Sequence, residues 1–179
     1  MTKIFDIPVF DFINHTISND LFNIVMPMIS RMGQGELYFL IGIMLLLLKK
    51  REFKLLGIAL LAGLTLSYYI AGTLKILVAR PRPFVALTNV ILLGSMDKTP
   101  SFPSGHATSA FMIAVLLSGR FKKYALFYAF AALVAFSRVY IGVHYPSDVI
   151  AGSLIGAAIG FFLTKTLSSL RAPEAGSNT

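Results

Sequence analysis

Five apolar runs, at 36–48, 53–78, 105–118, 124–142 and 147–167, follow one another with only short connections, and most basic residues sit at their ends. A bilayer core of about 30 Å takes about 20 apolar residues of helix. Within lipid every backbone N–H and C=O must be satisfied inside the chain, which leaves helices as the form such runs can take. The expected fold is therefore all-α: a polytopic membrane helical bundle of five to six transmembrane helices. Composition agrees, with 56% hydrophobic residues, a mean hydropathy of +0.75 and only 13% charged residues, far from an ordinary soluble domain. The first and third runs are short and need flanking residues or neighbours to cover them.

Residues 4–28 are mixed. Phe5, Ile7, Phe10, Phe12, Ile13, Leu21 and Phe22 alternate with Asp6, Asp11, Asn14, His15 and Asp20, the pattern of an interfacial amphipathic helix, with a sixth crossing as the other reading. Asp6, Asp11 and Asn14 also interrupt any leader-like apolar core, so no cleavable signal is expected. The expected division is an N-terminal interfacial segment at 1–34, a membrane domain at 35–168 and a disordered tail at 169–179. The chain has no cysteine, which excludes disulfides, thiolate metal sites and a cysteine nucleophile.

The net charge of +8 does not point to nucleic acid, because the basic residues are not spread over a soluble surface. Lys49, Lys50, Arg51 and Lys54, then Arg120, Lys122 and Lys123, then Lys165 and Arg171 flank apolar runs on one side. The positive-inside rule makes that side cytoplasmic. Residues 79–104 and 143–146 then lie on the outer face, and the remaining cations, Lys75, Arg80, Arg82 and Arg138, belong to motifs there.

Lys75 lies inside the outer end of the second run, where Pro81 and Pro83 stop the helix, so Lys75 and Arg82 can point at one anion. The competing reading is snorkelling of basic side chains toward headgroups. Ser104, Gly105 and His106 open the third run: an N-cap serine, a glycine that lets backbone approach a ligand, and a helix N-terminus suited to an anion. A plain capped helix is the other reading. Arg138 sits in an apolar run, where an unpartnered charge costs roughly 2.5–3.5 kcal/mol or more. His144 falls in the turn before Pro146, and Asp148 in the first turn beyond it, placed to accept a hydrogen bond from one imidazole nitrogen and leave the other free. The convergence of all three motifs on one face outweighs the structural reading of any single one.

Together these motifs resemble the type 2 phosphatidic acid phosphatase (PAP2) superfamily, whose patterns Lys-x6-Arg-Pro, Pro-Ser-Gly-His and Ser-Arg-x5-His-x3-Asp match Lys75 to Pro83, Pro103 to His106 and Ser137 to Asp148. The resemblance implies a PAP2/haloperoxidase-like helical core and a metal-independent reaction without cofactor. It implies that His144 attacks phosphorus, Asp148 supports it and His106 protonates the leaving oxygen. Lys75, Arg82, Ser104, Gly105 and Arg138 would hold the phosphoryl oxygens. That agrees with what phosphoryl transfer demands of a protein: positioning and stabilisation of charge on the equatorial oxygens.

The expected substrate is a membrane lipid phosphate reached from the bilayer, with no obligate protein partner, at a bacterial cytoplasmic (inner) membrane with the site facing the periplasm or cell exterior. Undecaprenyl diphosphate leads, with the lipid A 1-phosphate and phosphatidylglycerol phosphate as rivals. A lipid phosphotransferase and, in another class, an anion transporter are the alternatives. Residues 84–93 are apolar enough to lie on the membrane as an access flap. Gly152, Gly156 and Gly160 predict close helix packing inside the bundle rather than a dimer contact.

Overall fold

The computed structural model describes residues 2–171. Every regular element among them is helical: α1 (Ile7–Asp11, flanked by wider π turns at Thr2–Asp6 and Phe12–Thr16), α2 (Asp20–Met32), α3 (Gly35–Leu47), α4 (Arg51–Val78), the single turn α5 (Pro83–Ala86), α6 (Gly105–Phe121), α7 (Tyr124–Tyr140) and α8 (Pro146–Arg171). The five apolar runs correspond to α3, α4, α6, α7 and α8. Helix α8 continues through Arg171, so residues 169–171 of the expected tail are helical, and 172–179 lie outside the described residues. Helices α4 and α8 are long and apolar enough to cross a membrane, and α3 and α7 are shorter apolar helices.

Helix α7 ends where Gly142 adopts φ +82°, a left-handed conformation that favours glycine. A Cβ there would also collide with the Ile91 carbonyl. Pro146 then starts α8, leaving Ile141–Val143, His144 and Tyr145 as a tight, buried turn.

Helices α6 and α8 pack through the glycine stripe. A Cβ on Gly152 would meet the Ser104 carbonyl, one on Gly156 the Thr108 carbonyl, and one on Gly160 the Met112 carbonyl. The stripe is thus internal to the bundle, and it presses the start of α6 against the start of α8. Below it Leu56, Leu60 and Leu64 of α4 close a core with Met112, Leu116, Ile159 and Leu167. Gly156→Ala drives a methyl into backbone rather than into a yielding side chain, so a loss of about 1–3 kcal/mol is expected from overpacking. Thermal unfolding in detergent measures it; an unchanged midpoint would contradict this packing.

The N-terminal segment differs from the expected interfacial helix. One face does stay exposed, at Ile4, Leu21, Ile24 and Met28. The other is built into the bundle: Phe10 is fully buried against Ala107, Ala135, Val139 and Val149, and Met26 packs with Tyr140, Ile141 and Val143. Helix α2, like α3, has 13 residues and so extends roughly 20 Å, a length that crosses a bilayer core only with the help of flanking residues.

Residues 84–93 are also anchored rather than free. Asn14 donates to the carbonyls of Ile91 (2.9 Å) and Tyr140 (2.7 Å) and accepts from the Ile91 N–H (2.9 Å), while Leu93 N–H donates to Ile141 (3.1 Å). Buried amide groups satisfied this way hold the segment on α1 and the α7–α8 turn. Its apolar side chains Phe84, Leu87, Val90, Leu92 and Leu93 face that packing.

Candidate active site

Three helix ends meet at one end of the bundle, and each brings a motif. His144, in the α7–α8 turn, is 2% exposed. Its Nδ1 lies 3.6 Å from Asp148 Oδ2 and 3.4 Å from Ser101 Oγ, and its Nε2 lies 3.5 Å from a guanidinium nitrogen of Arg82. The ring is therefore held on one side by a carboxylate and hydroxyl and presents its other nitrogen toward a cation. Burial pushes the His144 imidazole down to about 3; Asp148 opposes this, and Arg138 and Arg82 reinforce it. The ring is neutral at neutral pH.

Asp148 is fully buried and fully engaged. Oδ1 accepts from Arg80 at 2.6 Å, while Oδ2 accepts from the Tyr145 N–H at 2.9 Å and from the Ser101 hydroxyl. The Asp148 carbonyl also accepts from Ser104 N–H at 3.0 Å, which ties the start of α8 to the start of α6.

Ser104 is fully buried, and its hydroxyl caps α6 by accepting from Ala107 N–H. Its own hydrogen remains free to donate. Gly105 and His106 follow in the first turn and line a cavity of about 890 Å3 together with Lys75, Thr99 and Pro100. From those polar residues the cavity descends between α3 and α4 along Phe39, Leu40 and Leu64. Leu64 precedes Lys75 by eleven positions on α4, so the apolar part reaches roughly 16 Å below the cation. None of residues 84–93 is among its lining, so the expected flap does not border this cavity.

The cations are held in different ways. Lys75 donates to the Pro100 carbonyl. Arg82, 3% exposed, donates to the Thr99 carbonyl (2.8 Å), the Val143 carbonyl (3.2 Å) and Asp97 (2.6 Å). Burial works to raise the Asp97 carboxyl, but hydrogen bonds from Thr99 and the charge of Arg82 outweigh it and hold the group below its usual range. Arg138 donates through one terminal nitrogen to Ser30 of α2 at 2.6 Å. Among the described residues its buried Nε has no hydrogen-bond partner, an uncommon state for a buried donor. His106 lies within electrostatic reach of Arg138, His144 and Arg82, and Lys75 within reach of Arg82, Asp148 and Arg138.

All eight residues singled out from the sequence thus collect at this end. Several others there had no assigned role: Arg80, Asp6, Ser30, Asp97 and Ser101. Arg80 stood in a recognised motif and could have been questioned on charge alone, whereas Asp6 and Ser30 find partners 74 and 108 positions away. Among the described residues there is no group of three or more His, Asp or Glu arranged to hold a metal ion.

An all-helical membrane chain that gathers cations, a His–Asp pair, a second histidine and a helix N-terminus at one end of its bundle, beside an apolar cavity bordered by Lys75, Gly105 and His106, has the design of a membrane phosphatase. The chain belongs to the PAP2 superfamily, whose family model matches residues 56–171. An undecaprenyl-diphosphatase of Sulfolobus acidocaldarius is 33% identical over 159 residues, 88% of this chain and 76% of the relative. The crystal structure of Aquifex aeolicus LpxE superposes with a TM-score of 0.78 at 31% identity, covering 89% of this chain and 94% of the other. The transmembrane PAP2 type phosphatidylglycerolphosphate phosphatase of Bacillus subtilis gives 0.72 at 26% identity, covering 93% and 86%.

Proposed function

We propose that this protein is an integral-membrane lipid phosphatase that removes the terminal phosphate of undecaprenyl diphosphate through a phosphohistidine at His144. The cavity carries the reading, because its polar mouth at Lys75, Gly105 and His106 suits a phosphate and its descent along Phe39, Leu40 and Leu64 suits an apolar chain. The Sulfolobus relative supports the same substrate by its name.

In the first step the Nε2 lone pair of His144 forms a bond to phosphorus, and the bond from phosphorus to the leaving oxygen breaks. The electron pair stays on that oxygen, which takes a proton from His106. Water then attacks phosphorus, His106 recovers a proton from it, and the P–N bond breaks with its pair returning to Nε2. The products are lipid monophosphate and inorganic phosphate. Asp148 holds the ring through Nδ1 and supports the positive charge that phosphorylation places on it. Lys75, Arg82 and Arg138, with the Ser104 hydroxyl and the Gly105 N–H, stabilise the equatorial oxygens.

The reading extends to topology: α3, α4, α6, α7 and α8 cross the cytoplasmic membrane, and the site faces outward. Arg120 pairs with Glu52, which brings the two basic connections together at the end of α4 and α6 remote from Lys75 and His106; such a cluster of cations supports a cytoplasmic assignment for that end by the positive-inside rule.

A phosphate-release panel on purified protein tests the proposal, with undecaprenyl diphosphate, phosphatidylglycerol phosphate and lipid A as substrates, each with and without chelator. Undecaprenyl diphosphate is expected to have the highest kcat/KM by at least tenfold, and chelator to leave it unchanged. Faster turnover of phosphatidylglycerol phosphate would favour the second reading, to which the Bacillus structure gives weight. Label transferred to a lipid acceptor would indicate a phosphotransferase, and absence of phosphate release from every lipid would contradict the enzyme reading.

A further inference from the structure

Arg80, which does not line the cavity, pairs directly with Asp148, and it is shared. One terminal nitrogen donates to Asp148 at 2.6 Å and the other to Asp6 at 2.7 Å. Asp6 is 3% exposed, comes from the turn that leads into α1, and lies outside the 56–171 family match. It also accepts from the N–H and hydroxyl of Ser147 at 2.8 and 2.7 Å, and that hydroxyl accepts from Arg80 at 2.8 Å. The Arg80 guanidinium stacks 3.9 Å above the ring of Tyr145. Both carboxylates, the arginine and the serine are thus locked into one closed set of hydrogen bonds around the first turn of α8.

We infer that Asp6 is a positioning residue for the reaction: by sharing Arg80 it keeps the charge of Asp148 available to His144. The inference rests on the roles proposed above for His144 and Asp148. Its physical basis is the charge balance of a buried trio. Two carboxylates and one guanidinium leave one net negative charge behind the imidazole. Without the Asp6 charge, Arg80 belongs to Asp148 alone, the balance falls to zero, and the carboxylate offers less to an imidazole that becomes positive on phosphorylation. In a buried site such charges interact far more strongly than in water. His144 is otherwise faced by Arg82 from the α4–α6 connection, Arg138 from α7 and His106 from α6. None of these touches Asp6, so the groups that grip the phosphate are left in place.

The test is a set of variants in the full chain, assayed with the same lipid substrate and normalised to folded protein. Asp6→Asn is expected to lower kcat by at least tenfold with KM within twofold. Asp6→Glu, which keeps the charge, recovers most of that loss. Arg80→Gln alone leaves two uncompensated carboxylates and is also slow. The double variant Asp6→Asn with Arg80→Gln restores one net negative charge and turns over at least threefold faster than either single variant. A residue that merely braces the fold would make the double variant no better than the poorer single one, and that outcome overturns the inference, as does an unchanged kcat in Asp6→Asn. If Asp6→Asn does not accumulate, the comparison of Arg80→Gln with the double variant decides in the same way. Activity that survives His144→Ala would instead sink the underlying reading, so the two failures are distinguishable.

Discussion

His144→Ala is expected to lower kcat by at least about 10^4-fold, the scale seen when an enzyme loses its covalent nucleophile. The reason lies in the geometry of the ring: Nδ1 is occupied by Asp148 and Ser101, Nε2 looks toward Arg82, and no other side chain in the turn offers a nucleophilic nitrogen. KM should stay within a few-fold, because Lys75, Arg82 and Arg138 remain. The ring is buried, so the alanine also leaves a void and some stability is lost. His144→Gln fills much of that space without a nucleophile and should be equally inactive. Retention of a tenth of the wild-type rate by either variant, measured by phosphate release on folded protein, would contradict the assignment.

Arg138→Ala is expected to cost about 3 kcal/mol of transition-state stabilisation, a loss of 10^2–10^3 in kcat, on the scale of one oxyanion donor. Ser30 fixes one terminal nitrogen of this guanidinium, while among the described residues the buried Nε has no partner. A charge held in an apolar helix with a donor unspent is poised for an anion. Arg138→Lys should recover little, since an ammonium cannot bond Ser30 and a phosphoryl oxygen in the same fork. Near-normal kcat/KM in Arg138→Ala would return the residue to a structural role.

Sequence spacing made much of this site legible because each motif is local. The Lys75-to-Pro83, Pro103-to-His106 and Ser137-to-Asp148 segments each fit within about a dozen residues, and helix geometry carries such spacing directly into space. The apolar runs were legible for the same reason, since lipid leaves the backbone few options. The N-terminal segment was not. Asp6 and Asn14 looked like the wet face of an interfacial helix, yet they, and Ser30 beyond that stretch, are among the buried polar residues. Their partners are Arg80, the Ile91 and Tyr140 backbone, and Arg138. Periodicity tells which residues share a face but not whether that face meets water or an arginine more than seventy residues away. Residues 84–93 misled in the opposite way: their apolarity suited a membrane flap, but it covers the α7–α8 turn instead.

The most direct measurement is to trap the covalent intermediate. Wild-type protein mixed with substrate carrying a 32P-labelled terminal phosphate, quenched in alkali within one turnover and digested, should yield label on His144 as an acid-labile, alkali-stable phosphoramidate. It should form at least as fast as phosphate is released and be missing from His144→Ala. Full turnover with no labelled histidine, or label on any other residue, would contradict nucleophilic catalysis by His144.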